Sequence, residues 1–125
     1  MNYLLVFLGG GLGAAARYGM NVGVARVAGS EFPWHTLVIN ITGCFIMGAL
    51  TELMALRLNV SNETRLFLTT GILGGYTTFS AFALDFALLV ERRDMLGAAG
   101  YALASVGFSI IACFAGLALV RALLA

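Results

Sequence analysis

Residues 66–84 read Leu-Phe-Leu-Thr-Thr-Gly-Ile-Leu-Gly-Gly-Tyr-Thr-Thr-Phe-Ser-Ala-Phe-Ala-Leu, an uncharged run bounded by Arg65 and Asp85. A helical bilayer crossing takes about 20 such residues. The centre of this one, however, holds Gly71, Gly74, Gly75, Tyr76, Thr77, Thr78 and Ser80. Hydrocarbon cannot hydrogen-bond bare backbone or hydroxyls, so a middle of this kind is tolerated only when buried in protein or lining a wet cavity. The segment is expected to be a membrane helix broken near its middle, and to line something.

The chain as a whole has the composition of a membrane protein. Its 125 residues are 61% hydrophobic and 10% charged, with one proline and a mean hydropathy of +0.97. An ordinary soluble domain is excluded by that balance. The chain is read as one all-α domain, residues 1–125, because four crossings of about 20 residues use most of its length. Charges and polar turns delimit spans at about 3–26, 33–56, 65–91 and 96–122. Ser61 or Asn62 is placed to cap the third helix. Cys44 and Cys113 lie inside apolar stretches and read as small packing residues, not as a disulfide. His35 has no companion at metal-ligand spacing. Ala14, Ala15 and Ala16 resemble a leader cleavage site, but no basic segment precedes them, so the first segment is read as a helix.

Orientation normally follows the side richer in Lys and Arg. Here Arg57, Arg65 and Arg121 on one face oppose Arg26, Arg92 and Arg93 on the other. The balance predicts insertion both ways up, which makes an antiparallel two-fold dimer available. Arg17 or the terminal amine tipping the balance is the alternative. Gly9 with Gly13, and Gly43 with Gly48 and Ala49, are small residues at near-helical spacing that let membrane helices approach closely.

Several polar groups are candidates for chemistry. Carbonyls released at the glycine-rich break would attract a cation, an arrangement that recurs where broken membrane helices meet; a simple kink satisfied by neighbouring helices is the alternative. Phe79 and Phe82 share a face if the helix resumes after the break, and an aromatic edge is the positive part of the ring quadrupole. Asn40 offers two amide donors amid Leu37, Val38, Ile39 and Ile41. Tyr101, Ser105 and Ser109 fall at i, i+4 and i+8, one stripe of an otherwise apolar helix. Each has a packing alternative, such as an interhelical hydrogen bond for Asn40 or back-bonding for a serine. Arg17 and Asp85 lie near span ends, where Arg17 either snorkels or concentrates anions in a vestibule. No nucleophile, base and orienting acid sit together, so an enzyme is not expected.

The chain resembles the Fluc (CrcB) family of bacterial fluoride channels. The resemblance rests on Gly-Gly-Gly-Leu-Gly-Ala-Ala-Ala-Arg-Tyr at 9–18, Thr-Leu-Val-Ile-Asn-Ile-Thr-Gly-Cys-Phe at 36–45, and Gly-Gly-Tyr-Thr-Thr-Phe-Ser at 74–80. It implies an antiparallel, dual-topology homodimer in the bacterial inner membrane, with two fluoride pathways and a structural sodium ion at the centre of the interface. By the same resemblance Asn40, Phe79, Ser80, Phe82, Tyr101, Ser105 and Ser109 would line the pore. Arg17 would stand in the vestibule, and carbonyls of Gly74 and Thr77 from both subunits would hold the sodium. The implied activity is passive, fluoride-selective export that confers fluoride resistance, with fluoride, a second copy and lipid as partners and no nucleic acid. His35 departs from a frequent glycine, Ala81 from a hydroxyl residue and Asp85 from a glutamate. A proton-coupled exporter of the small multidrug type is the alternative, but the first helix lacks the acidic residue such exporters carry.

Overall fold

The computed structural model describes residues 1–29, 31–57 and 59–124, so Ser30 in the first turn lies outside it. All regular structure among the described residues is helical. Helix α1 runs Asn2–Ala28 and α2 Trp34–Leu56. A short α3 (Asn62–Leu66) leads into a π-helical stretch, Phe67–Leu73, followed by α4 (Gly74–Tyr76), α5 (Phe79–Glu91) and α6 (Met95–Leu124).

Three helical segments are long and apolar enough to cross a membrane: Trp34–Leu56, Asn62–Glu91 and Met95–Leu124. The protein is therefore a multi-pass membrane protein. Helix α1 is long enough, at about 1.5 Å per residue, but Gly9, Gly10, Gly11, Gly13 and Arg17 make it less apolar than the others. Leu12, Leu96, Leu103, Ile111 and Phe114 are exposed on the outer faces, as a surface solvated by lipid requires.

Lipid supplies no hydrophobic drive between helices, so their association depends on close packing. Helix α2 lies along α6, where a Cβ added at Gly48 would strike the Cys113 carbonyl and one at Gly116 the Phe45 carbonyl. These backbones touch. Helix α1 makes the same kind of approach to the π-helical stretch: Gly9 sits against the Phe67 carbonyl and Gly71, and Gly13 against the Ile72 carbonyl. Helix α5 closes the bundle against α6 over a core of Leu37, Leu89, Ala98 and Tyr101.

The third segment explains itself residue by residue. Ser61 caps it, its Oγ accepting the Thr64 N–H at 3.2 Å. After Tyr76 the backbone turns extended, with Thr77 at φ −79°, ψ 158° and Thr78 at φ −152°, ψ 122°. Helix starts again at Phe79 because Thr78 is an N-cap, its Oγ1 accepting the Ala81 N–H at 3.1 Å. Gly43 leaves room for this interruption, since a Cβ there would meet the Thr77 methyl and the Tyr76 ring.

Candidate functional site

A helix of this kind bonds each N–H to the carbonyl four residues earlier, and the extended pair Thr77–Thr78 removes several of those partners. Asn40 replaces one set. Its Nδ2 donates to the Thr78 carbonyl at 2.9 Å while its Oδ1 accepts the Thr78 N–H at 2.8 Å. The Thr78 N–H is thereby turned away from the Gly74 carbonyl, which a continuous helix would have given it. Arg17 supplies another partner, its Nε donating to the Gly75 carbonyl at 3.1 Å. Thr42 accepts or donates at 2.9 Å to the Tyr76 hydroxyl, fixing the ring that precedes the break. Three polar residues of α1 and α2 thus hold the interrupted backbone.

Beside the break lies a cleft of about 250 Å³. Asn40, Phe79, Phe82, Ser105 and Ser109 line it together with the Cys44 thiol. Phe79 and Phe82 are neighbours, ring centroids 5.4 Å apart and planes at 50°. Ser105 is 6% exposed; among the described residues its Oγ and that of Ser109 make no well-formed hydrogen bond, although the Tyr101 hydroxyl lies near Ser105 and the Cys44 thiol near Ser109. A buried hydroxyl without a partner costs about 1–3 kcal/mol. Both serines belong to one stripe of α6, and both border the cleft.

Residues 4–117 match the family described as CrcB-like protein, Camphor Resistance (CrcB). The chain belongs to the CrcB family. Similar relatives are the fluoride-specific ion channel FluC of Mesorhizobium japonicum, 56% identical over 98% of this chain and 98% of its own; that of Rhodopseudomonas palustris, 54% identical over 98% and 99%; and FluC 2 of Nitrobacter hamburgensis, 53% identical over 97% and 98%.

In this CrcB chain the remaining sequence-predicted residues take different positions. Tyr101, fully buried, belongs to the Ser105–Ser109 stripe but does not line the cleft; its ring packs on Phe82 with centroids 5.2 Å apart. Its hydroxyl donates to Asp85 Oδ2 at 3.1 Å, and Thr36 Oγ1 donates to the same oxygen at 2.7 Å. Ser80 is exposed and pairs with the Thr78 hydroxyl at 3.3 Å. Arg17 is half-buried at the break. Gly74 is exposed, on a separate surface hollow with Thr69 and Thr70.

Sequence reasoning named Thr36 and Thr78 only within longer stretches and gave neither a role of its own. A threonine immediately before Phe79-Ser80-Ala81 carries an N-cap signal, which would have located the restart of the helix. Nothing local distinguishes Thr36, whose partner is 49 residues away. Cys44 and Cys113 are free thiols.

Proposed function

We propose that this protein is a fluoride channel that lets cytoplasmic fluoride leave by passive electrodiffusion and so confers fluoride resistance. The observation that carries the reading is the cleft itself, which brings Ser105 and Ser109 of one helix stripe together with Asn40 and the Phe79–Phe82 pair. Membership of the CrcB family, with relatives named for fluoride, supports it. The walls of this cleft carry no formal charge. Hydroxyl donors, the second Asn40 N–H and positive ring edges would take over from water around a small, strongly hydrated halide. Selectivity would follow from path width and donor strength, as in other filters.

No energy coupling is needed. Hydrogen fluoride crosses lipid uncharged, ionises inside the cell and leaves the anion trapped. An interior-negative potential then favours anion exit by about 2.3 kcal/mol per charge per 100 mV.

The working unit is an antiparallel homodimer with each copy crossing the bacterial inner membrane four times, α1 being the fourth span. Phe79, a pore residue in this reading, is 76% exposed in one chain, and the balanced arginines permit both orientations. A second copy would close the cleft into a path. A structural sodium ion at the break belongs to the same reading, with the carbonyls of Gly74 and Thr77 as its donors: Arg17 takes the Gly75 carbonyl and Asn40 the Thr78 N–H, and carbonyls freed at unwound membrane helices are of the sort that hold sodium. Its contribution would be structural, neutralising carbonyl dipoles where the two breaks meet.

Fluoride efflux from liposomes containing the purified protein tests this reading. Phe82→Ile should reduce efflux at least tenfold while the dimer persists on size exclusion. A wild-type protein that leaves such vesicles fluoride-tight, or an efflux that needs a proton gradient, would overturn it.

A further inference from the structure

Helices α2 and α6 keep a regular register along their contact. Thr36 and Tyr101 meet on Asp85, Asn40 and Ser105 both border the cleft, the Cys44 thiol lies near the Ser109 hydroxyl, and Gly48 lies against the Cys113 backbone. Each step advances one turn on both helices, so the two run parallel. Cys44 and Cys113 therefore stand at successive levels of one seam, on facing helices. Both are half-buried free thiols, and their side chains are near enough to act on each other electrostatically. Cys44 also borders the cleft directly. The channel reading uses neither sulfur.

We propose that Cys44 and Cys113 form a two-sulfur site for a soft, thiol-binding metal cation, and that occupation of this site closes the cleft to anions. The closure rests on the channel reading above; the metal site does not.

Ligand number and softness select the ion. Among the described residues no three His, Cys, Asp or Glu side chains gather where they could hold a metal, so an ion that needs a cage of three or four protein ligands finds none. A two-coordinate ion such as mercury(II) takes one sulfur from each side. Two helices in contact supply them. Thiolate is the ligand form, so binding releases protons: two S–H bonds break, two S–Hg bonds form and two protons leave, with no change of oxidation state. Sulfur suits soft ions, and fluoride, a hard anion, does not displace them. Because the Cys44 thiol neighbours Ser109, the last hydroxyl of the α6 stripe, a metal held there takes that side of the path.

Mercury(II) chloride added to liposomes of the full chain gives the test, with fluoride efflux and the count of free thiols read on the same sample. At one mercury per chain the wild type should lose both thiols, gain the ultraviolet absorption of a two-sulfur mercury complex, and lose efflux roughly tenfold or more. Excess dithiothreitol should restore all three. Cys44→Ala and Cys113→Ala should each lack the two-sulfur absorption, and the double variant should keep its own untreated efflux. One thiol left free per wild-type chain at that ratio, efflux undiminished with both thiols occupied, or equal inhibition of the double variant overturns the inference and leaves the channel reading intact. A wild type that is fluoride-tight before mercury is added overturns the channel reading and the closure with it, while the thiol count still decides the metal site.

Discussion

The two polar regions of this bundle treat their hydrogen bonds in opposite ways. At the helix break, the Thr78 N–H and carbonyl meet Asn40, the Gly75 carbonyl meets Arg17, and the Ala81 N–H meets the Thr78 hydroxyl. Along α6, the buried hydroxyls of Ser105 and Ser109 border a cleft and make no well-formed hydrogen bond among the described residues. Both lie at membrane depth, where an unmet polar group is costly. In the proposed channel the difference separates support from function: groups that hold the fold are answered by the protein, and the serine hydroxyls would answer the ion.

The sharpest way to break that contrast is at Asn40. Asn40→Asp keeps an acceptor for the Thr78 N–H but sets a carboxylate against the Thr78 carbonyl. Fluoride efflux should fall at least a hundredfold, and the melting temperature in detergent should drop with it. Normal throughput would remove Asn40 from both roles. Gly43→Val should come next, because its side chain meets the Thr77 methyl and Tyr76 ring. A loss of about 1–3 kcal/mol is expected from overpacking, with efflux reduced in parallel; thermal denaturation and flux assays check both.

Ser109→Ala should do the reverse. Removing a buried donor that has no partner leaves stability unchanged or slightly raised. Efflux should nevertheless fall about tenfold, because a hydrogen bond to a charged group contributes about 1.5–3 kcal/mol. A lowered melting temperature with unaltered efflux would assign Ser109 to packing and erase the distinction drawn here. The smallest effect is expected at Ser61→Ala, far from both regions. Loss of that cap should cost about 1 kcal/mol with no measurable change in fluoride efflux.

How much was legible depends on how far apart the partners lie. The Tyr101–Ser105–Ser109 stripe is a matter of spacing along one helix, and spacing is enough to align it. The small residues Gly9, Gly13 and Gly48 were readable as contact points for the same reason, and each does meet a neighbouring backbone. Asn40 was read as a donor to an anion; the structure gives one of its N–H groups and its carbonyl oxygen to Thr78. Arg17 was read at a vestibule or an interface; the structure adds its hydrogen bond to the Gly75 carbonyl. Those pairings join residues 38 and 58 positions apart. Periodicity carries no information at that range.

Sequence by itself determined that this chain enters a membrane, where its apolar segments run, and which helix face is polar. These properties depend on composition and on the 3.6-residue turn, both local. Only the tertiary structure decided which polar groups answer one another: Asn40 with Thr78, Arg17 with Gly75, and Thr36 and Tyr101 with Asp85. Among the described residues the same folding left the Oγ atoms of Ser105 and Ser109 and the Nδ1 of His35 without a well-formed hydrogen bond. A hydrogen bond requires two groups within about 3 Å, and which distant groups come that close is set by how the helices pack.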